Sequence, residues 1–377
     1  MSTEPVLFRT EGSGAKKVGH ATLSSEASLN SLTHRMLELL HPQLQAWAQD
    51  DSIAAVVIDG AGLKAFCAGG DVRQLHDTIV GNKPELADEF FEREYRLDYA
   101  IHTYPKPLIV WGHGIVMGGG IGLLSGASHR VVTETTKLAM PEITIGLYPD
   151  VAGSYFLNRT PEGVGLFLGL TGARINAADA LFTKLGNVFI QNASKEAALK
   201  ALTQIPWTAD PTANKVLVNH CFAEFEQASY ALLPKSELAP RAEGLRKLSE
   251  ARDVQTYLAQ LEAAAGEDVY LQTALKMLKA GCPVSARVTF AQIHRARGLS
   301  LEECFATELT MSMQCARHPD FAEGVRALLI SKDNKPNWSF KSLDSVPDSL
   351  VETHFTWPLK AQPNPFLKNQ PNSLRKM

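Results

Sequence analysis

The hydrophobic pattern of the first half of the chain alternates between short apolar runs and longer segments with helical spacing. VGHATLS (18–24) predicts a strand, and IAAVVID (53–59) and LIVWGHG (108–114) predict strands that are buried. Apolar residues recur at helical spacing over 32–47, and residues 85–104 form an amphipathic stretch. This alternation of strand, turn and helix predicts an α/β core.

The pattern changes at about residue 207, where stretches rich in Ala, Leu, Glu and Lys follow one another with helical periodicity. Gly281 and Ser300 are candidate helix caps in this region. We therefore predict a polar N-terminal tail over 1–15, the α/β core over 16–206, and a helical domain over 207–345. The residues from 346 to 377 are predicted to form an irregular tail rich in Pro and Asn.

Composition and charge narrow the range of functions. The hydrophobic fraction of 45% and the charged fraction of 20% are typical of a well-packed globular protein. A formal net charge of -3 gives no basic field, so we expect no nucleic-acid partner. No apolar run approaches the roughly 20 residues that a membrane span requires. The first residues, MSTEPVLFRTEGSG, resemble neither a secretory signal nor an Arg-rich presequence, and we expect a cytoplasmic protein.

Several common functional motifs are missing from the sequence. The five cysteines are scattered and never form a C-x-x-C pair, and the histidines show no H-x-x-x-H spacing. We therefore expect no metal and no disulfide framework. Neither a P-loop nor a G-x-S-x-G motif is present, which excludes a P-loop nucleotide enzyme and leaves a serine nucleophile without support.

Two glycine-rich segments carry the first candidate chemistry. KAFCAGGD (64–71) and GIVMGGGIG (114–122) each follow a predicted strand and precede a predicted helix. Glycine turns expose backbone N–H groups because no Cβ covers them. Two such amides that point to one place form an oxyanion hole, which suits the carbonyl of a thioester. Each run alone is better explained as a tight turn, and two of them followed by a carboxylate loop favour a function.

A third segment, MPEITIGLYPD (140–150), supplies carboxylates. Glu142 and Asp150 lie in a loop with Gly146 and Pro149, so both side chains could converge on one cavity. Each has a structural alternative, since Glu142 could be an acid at a helix start and Asp150 an N-cap.

Together, F-C-A-G-G-D, M-G-G-G and M-P-E-x-x-I-G-L-x-P-D in this order resemble the crotonase superfamily. The sequence is most similar to its 3-hydroxyisobutyryl-CoA hydrolase branch, from about residue 16 to about 345, including PDFAEGVRALLISKDNKPNW (319–338). The resemblance implies a spiral of ββα units with a C-terminal helical domain. It also implies hydrolysis of an acyl-CoA thioester in valine catabolism, with coenzyme A as part of the substrate and no separate cofactor.

The resemblance implies roles for individual residues. The backbone amides of Gly70 and Gly119 would form the oxyanion hole, and Glu142 would act as nucleophile or as general base. Asp150 would bind the 3-hydroxyl of the acyl group and assist proton transfer. Glu94, in FFEREYRL, would reach the substrate; the alternative is a surface acid beside Arg93.

Other functions stay open at this point. Enoyl-CoA hydratases are similar to this chain, but they place a second catalytic Glu where Gly122 stands, and hydration uses two carboxylates. A crotonase-fold scaffold or RNA-associated protein without catalysis is the non-enzymatic alternative. Superfamily members commonly assemble through C-terminal helices, so a homo-oligomer is possible. Four basic residues are candidates for the CoA phosphates: Lys64, Arg73, Lys332 and Lys335.

Overall fold

The computed structural model describes residues 4–12 and 14–367. The chain forms two compact units, each built from separate segments. The first contains the residues up to Gly70, with Arg96–Ala139 and Arg174–Pro240, and the second contains Asp71–Tyr95, Met140–Ala173 and the residues from Arg241 onward. This division differs from the predicted boundaries, which follow changes in composition along the chain. Packing instead groups two segments of the predicted core with the C-terminal helices.

The described residues of the first unit form nine strands in two sheets. A six-stranded sheet has the order β1-β2-β3-β5-β7-β9, and a three-stranded sheet has the order β4-β6-β8. Apart from the antiparallel β1–β2 pair, neighbouring strands are parallel. The strands are β1 (Val6–Glu11), β2 (Lys17–Leu23), β3 (Ile53–Gly60), β4 (Ala65–Cys67), β5 (Leu108–Gly112), β6 (Ile115–Met117), β7 (His129–Val132), β8 (Lys137–Ala139) and β9 (Val188–Phe189).

The three predicted strands are present as β2, β3 and β5. Every residue of β3 and β5 is buried, as expected for central parallel strands covered on both faces. Strand β1 lies within the predicted polar tail. It is an edge strand of its sheet, and only Val6 is buried, so it shows no alternation of buried apolar and exposed polar residues.

The chain contains helices throughout, with the longest ones at Pro84–His102 and Pro211–Ser229. The α-helices are α1 (His34–Gln49), α2 (Val72–Val80), α3 (Pro84–His102), α4 (Gly119–Ser125), α5 (Gly153–Leu157), α6 (Val164–Thr171), α7 (Ala177–Phe182), α8 (Lys195–Leu202), α9 (Pro211–Ser229), α10 (Ala242–Leu248), α11 (Val254–Ala265), α12 (Val269–Ala280), α13 (Pro283–Arg295), α14 (Leu301–Cys315), α15 (Pro319–Val325) and α16 (Asp348–His354).

Within the first unit, a hydrophobic cluster joins the six-stranded sheet to helices α8 and α9. Val57 and Trp111 from the sheet pack in the same cluster as Leu202 and Phe222 from the helices. Burial of side chains of this size stabilises a fold by roughly 1.5–3 kcal/mol each. The core of this unit therefore lies between its larger sheet and these helices.

The second unit is built almost entirely from helices, as the sequence predicts for its C-terminal part. The predicted cap Ser300 begins α14, where its side chain accepts from the amide of Glu303 in a capping box. Helix α16 lies in the segment predicted as an irregular tail, where Val351 and His354 are buried. No helix in the described ranges is long and apolar enough to cross a membrane.

Candidate active site

Glu142 begins a short 3-10 helix, Glu142–Ile145, in the second unit. Its backbone carbonyl accepts from the amide of Leu147 at 3.1 Å, which closes the turn. The carbonyl of Ile143 accepts from the amide of Cys282 at 2.9 Å. Glu142 is thus an acid at a helix start, which is the structural alternative given above. It is also only 4% exposed, which is unusual for a charged residue at such a position.

Two glycines let the backbone of α15 approach this turn. Gly146 has a φ of 72°, and a Cβ at this position would lie 2.4 Å from the carbonyl oxygen of Asp320. A Cβ at Gly324 would lie 2.5 Å from the Cα of Ile145. Real Cβ atoms do not make such short contacts, so both positions require glycine. The segment PDFAEG (319–324), which is part of the family resemblance, therefore packs against the turn that carries Glu142.

Asp150 and Glu94 are also buried in the second unit, at 4% and 3% exposure. Asp150 precedes α5 without capping it, because the N-cap is Ala152. Its Oδ2 accepts a hydrogen bond of 2.8 Å from the hydroxyl of Tyr95. Glu94 lies on α3, while neighbouring Arg93 pairs with Glu89. The reading of Glu94 as a surface acid is therefore wrong.

The charge of Asp150 affects the pKa of both Glu142 and Glu94. Burial raises the pKa of Glu142 well above its ordinary value, and the charges of Asp150 and Glu94 raise it further. Burial and the charge of Asp150 likewise raise the pKa of Glu94. Burial raises the pKa of Asp150 to about 6, against the hydrogen bond from Tyr95, which lowers it. The second unit therefore brings three of the predicted site residues together.

Two oxygen atoms of this cluster have no hydrogen-bond partner among the described residues. They are Oε2 of Glu142 and Oε1 of Glu94, and both are inaccessible to solvent. Buried polar atoms are nearly always hydrogen-bonded, and exceptions concentrate at functional sites. No cation contributes to the pKa of Glu94, Glu142 or Asp150 within the described part of the chain. Such carboxyls can exchange protons or attack an electrophile.

The surroundings of Asp150 include residues that the sequence analysis did not identify. The Tyr95 hydroxyl lies 2.5 Å from Oγ of Ser312, which also lies 2.7 Å from the hydroxyl of Tyr148. Ser312 is fully buried on α14, in a helix that is otherwise largely apolar on its buried face. The sequence does hold one signal for Ser312, which is a polar residue at a helical position where apolar residues are expected. A buried polar side chain of this kind needs a hydrogen-bond partner.

The two glycine turns lie side by side in the first unit. Strands β4 and β6 are parallel neighbours, and Gly70 and Gly119 follow their carboxyl ends. A Cβ built on Gly69 would lie 3.2 Å from the carbonyl oxygen of Met117 and 3.7 Å from the amide nitrogen of Gly119. This adjacency agrees with the expectation that the two turns act together.

The remaining candidates have different environments. Gly122 is buried in α4, so this helix offers no carboxylate at the position that hydratases use. Lys64, Arg73, Lys332 and Lys335 are exposed, and the Arg73 guanidinium donates to the carbonyl of Leu329 at 2.9 Å. Within residues 4–12 and 14–367, no group of three His, Cys, Asp or Glu side chains is arranged to hold a metal ion.

Comparison with known proteins places the chain in a family. The profile of the enoyl-CoA hydratase/isomerase family matches residues 18–355. The chain belongs to the enoyl-CoA hydratase/isomerase family. Membership confirms the predicted crotonase fold and implies an acyl-CoA substrate.

Individual relatives in this family carry two kinds of name. The mitochondrial 3-hydroxyisobutyryl-CoA hydrolase of Xenopus tropicalis is 36% identical over 90% of this chain and 86% of its own. Its counterpart in Danio rerio is 37% identical over 93% of this chain and 89% of its own. A crystal structure of an enoyl-CoA hydratase from Rhodobacter sphaeroides is 31% identical, with a TM-score of 0.81 over 93% of this chain and 97% of its own.

Proposed function

We propose that this protein hydrolyses the thioester of 3-hydroxyisobutyryl-CoA, or of a close 3-hydroxyacyl-CoA, to the free acid and CoA in valine catabolism. The observation that carries the proposal is the buried carboxyl of Glu142, whose Oε2 has no partner among the described residues and which neighbours Asp150 and Glu94. The relatives named as 3-hydroxyisobutyryl-CoA hydrolases support the choice of substrate.

The proposed reaction uses backbone amides and carboxyls. The amides of Gly70 and Gly119 polarise the thioester carbonyl and stabilise the negative charge that forms on its oxygen. Glu142 either attacks the carbonyl carbon or removes a proton from an attacking water. The carbon–sulfur bond then breaks, and the sulfur leaves with the electron pair. If Glu142 attacks, water hydrolyses the acyl-glutamyl anhydride in a second step.

Asp150 and Glu94 have supporting roles in this proposal. Asp150 binds the 3-hydroxyl of the acyl group and supplies a proton to the leaving thiolate, for which a pKa of about 6 is suitable. Glu94 faces the substrate through its unpartnered Oε1. No metal and no cofactor take part, and EDTA treatment followed by an activity assay tests this statement.

Release of free thiol from a panel of acyl-CoAs tests the proposal. The panel contains 3-hydroxyisobutyryl-CoA, 3-hydroxypropionyl-CoA, isobutyryl-CoA and crotonyl-CoA, assayed with wild type, Glu142→Gln and the control Glu267→Gln. Glu267 is an exposed acid of the second unit. We expect fastest release from a 3-hydroxyacyl-CoA, and none with Glu142→Gln. Absence of thiol release by wild type from every substrate would contradict the proposal and support an inactive scaffold.

The alternative activity is hydration or isomerisation of an enoyl-CoA. The similarity to the crystal structure of an enoyl-CoA hydratase from Rhodobacter sphaeroides favours this activity. Gly122 opposes it, since hydration needs a second carboxylate beside Glu142. The absorbance of crotonyl-CoA measures hydration directly. Hydration faster than hydrolysis of every acyl-CoA tested would favour this alternative.

A separate labelling experiment distinguishes the two roles of Glu142. In a single turnover in water enriched in oxygen-18, attack by Glu142 leaves an anhydride that water opens. If water adds at the glutamyl carbonyl, oxygen-18 enters the side chain, and mass spectrometry of the peptide that contains Glu142 detects it. Repeated turnover increases the label. General-base catalysis puts oxygen-18 only into the released acid.

Location and assembly are further parts of the proposal. No cysteine forms a disulfide among the described residues, which fits a reducing compartment. We propose the cytoplasm, while the two relatives above are named as mitochondrial. Cell fractionation distinguishes the two compartments. We propose no nucleic-acid partner, and assembly of a homo-oligomer through C-terminal helices is tested by light scattering of the purified protein.

A further inference from the structure

The backbone that follows Asp150 has an unusual conformation. Val151 has a φ of 52° and Ala152 a φ of 69°, and both residues are fully buried. Residues with a Cβ seldom adopt this left-handed region, and a β-branched residue such as valine does so least of all. Two consecutive residues in this conformation persist only when their surroundings hold them.

The carboxyl group of Glu308 stabilises this conformation through hydrogen bonds. Its Oε2 accepts from the amide of Ala152 at 2.7 Å, and its Oε1 accepts from the amide of Ser154 at 2.8 Å and from the Ser154 hydroxyl. Glu308 is fully buried, so water does not compete for these bonds. Burial raises the pKa of Glu308 to about 8, while the hydrogen bonds from Ser154 and Ala152 lower it. Glu308 therefore holds the strained turn at Ala152 and the start of α5 at Ser154.

The next turn of α14 contacts Tyr95, which in turn donates a hydrogen bond to the side chain of Asp150. Ser312 stands four residues after Glu308 on α14, which puts the two side chains on one face. Ser312 contacts the hydroxyl of Tyr95, and Tyr95 donates to Asp150. One helix face thus fixes the backbone after Asp150 through Glu308 and the carboxyl of Asp150 through Ser312 and Tyr95.

We propose that Glu308 is a positioning residue that holds the Val151–Ala152 turn and thereby keeps the Asp150 carboxyl in place to recognise a 3-hydroxyl group. This inference rests on the proposed function, in which Asp150 binds that hydroxyl. The side chain of Glu308 accepts hydrogen bonds from Ala152 and Ser154, so its proposed role is to position and not to react. It matters for the choice between acyl groups because a displacement of about 1 Å can reduce a rate by about a hundredfold.

The central test compares 3-hydroxyisobutyryl-CoA with isobutyryl-CoA, which lacks the hydroxyl. In Glu308→Gln the side-chain amide offers one acceptor oxygen where the carboxyl group offers two, so either the bond to Ala152 or the bonds to Ser154 are lost. We expect kcat/KM to fall by about tenfold to a hundredfold for the hydroxylated substrate. For isobutyryl-CoA we expect a fall that is about tenfold smaller, because displacement of Asp150 then affects only its proton transfer and no hydroxyl is bound. Glu302→Gln, in the first turn of the same helix, is the matched control.

A rescue variant separates positioning from a general structural role. Ala152→Gly removes the strain at one residue of the turn, since glycine adopts a φ of 69° freely. Combined with Glu308→Gln, it should restore at least about half of the lost preference on a logarithmic scale. Equal losses on both substrates, or a double variant no better than Glu308→Gln, would overturn the proposal.

Two further measurements keep the test decisive. Amide hydrogen exchange over residues 150–157 should become faster in Glu308→Gln, and unchanged exchange would contradict the hold on the turn. This result does not depend on activity, so it stands even if wild type hydrolyses no acyl-CoA and the proposed function fails. If Glu308→Gln does not fold, Ser154→Ala removes a single donor. We expect it to reduce the substrate preference by about twofold to fivefold, and an unchanged preference would overturn the proposal.

Discussion

Tyr95 donates a hydrogen bond of 2.8 Å to Oδ2 of Asp150, and this bond opposes the effect of burial on the carboxyl group. A donor stabilises the ionised form of an acid and so lowers its pKa. The two residues are far apart in sequence but belong to the same unit. The balance between burial and this hydrogen bond gives Asp150 a pKa of about 6.

Tyr95→Phe should shift the alkaline limb of the pH–rate profile to higher pH. Without the donor the pKa of Asp150 rises. Asp150 then stays protonated, and able to supply a proton to the leaving thiolate, up to a higher pH. A hydrogen bond to a charged group contributes about 1.5–3 kcal/mol, which corresponds to a shift of about one pH unit or more. Steady-state rates from pH 5 to 9 measure the limb. Tyr104→Phe, in the first unit, should leave the limb in place, and a shift of Tyr95→Phe toward lower pH would contradict the assignment.

Glu142→Ala should abolish turnover without unfolding the protein. Removing a nucleophile or a general base typically costs several orders of magnitude in rate. The carboxyl is buried with an unpartnered oxygen, so its loss removes no hydrogen bond from Oε2. We expect the urea midpoint to stay the same or to rise. Activity above about a tenth of wild type would exclude Glu142 as the group that carries the reaction.

Asp150→Ala should change the preference between substrates. A buried hydroxyl that loses its partner costs about 1–3 kcal/mol, so hydrolysis of 3-hydroxyisobutyryl-CoA should fall by about tenfold more than that of isobutyryl-CoA. Values of kcat/KM for both substrates measure the difference. Equal losses on the two would leave Asp150 in proton transfer but remove it from hydroxyl recognition.

Asp150→Asn should also move the acid limb of the profile to lower pH. The charge of Asp150 raises the pKa of Glu142, so its removal lowers that pKa. The ionised form of Glu142, which attack or base catalysis requires, then persists to lower pH. The residual activity of Asp150→Asn between pH 4 and 8 checks the direction. An acid limb that moves to higher pH would show that another group controls it.

The free energy of unfolding should decrease as pH rises from about 4 to about 6. Asp150 has a folded pKa of about 6 against an ordinary value of 3.8, so the folded state binds more protons in this window. The favourable contribution is complete below about pH 4 and is lost as pH rises through about 6. Its size is about 3 kcal/mol. Urea titrations should show that the free energy of unfolding of wild type falls across this window by about 3 kcal/mol more than that of Asp150→Asn. The control Glu267→Gln should behave like wild type.

The sequence could predict those parts of the protein that depend on local pattern. Buried strands such as Ile53–Gly60 show continuous apolar runs, and Glu142 and Asp150 stand in one short segment together. Both residues are buried, and the charge of Asp150 raises the pKa of Glu142, as expected if the two side chains converge.

Other features depend on packing between distant segments. Ser312 is 217 residues from its partner Tyr95, and Glu308 is 154 residues from Ser154, so no local spacing connects them. The sequence does not predict the edge strand Val6–Glu11, because a single buried residue produces no two-residue alternation of apolar and polar positions. The division into two units was not predicted, since composition along the chain does not report which segments pack together.

The close approach of α15 to the Glu142 turn has a consequence for genetics. Gly146 and Gly324 carry no functional group, yet any larger residue would push two backbones apart at the turn that carries Glu142. A saturation library selected for growth on valine as sole carbon source should therefore exclude substitutions at both positions as strictly as at Glu142. Variants at Gly244, where an added Cβ would meet nothing within 4 Å, should survive the same selection. Clinical or evolutionary lists of intolerant positions in such a protein would thus include residues that never touch a substrate.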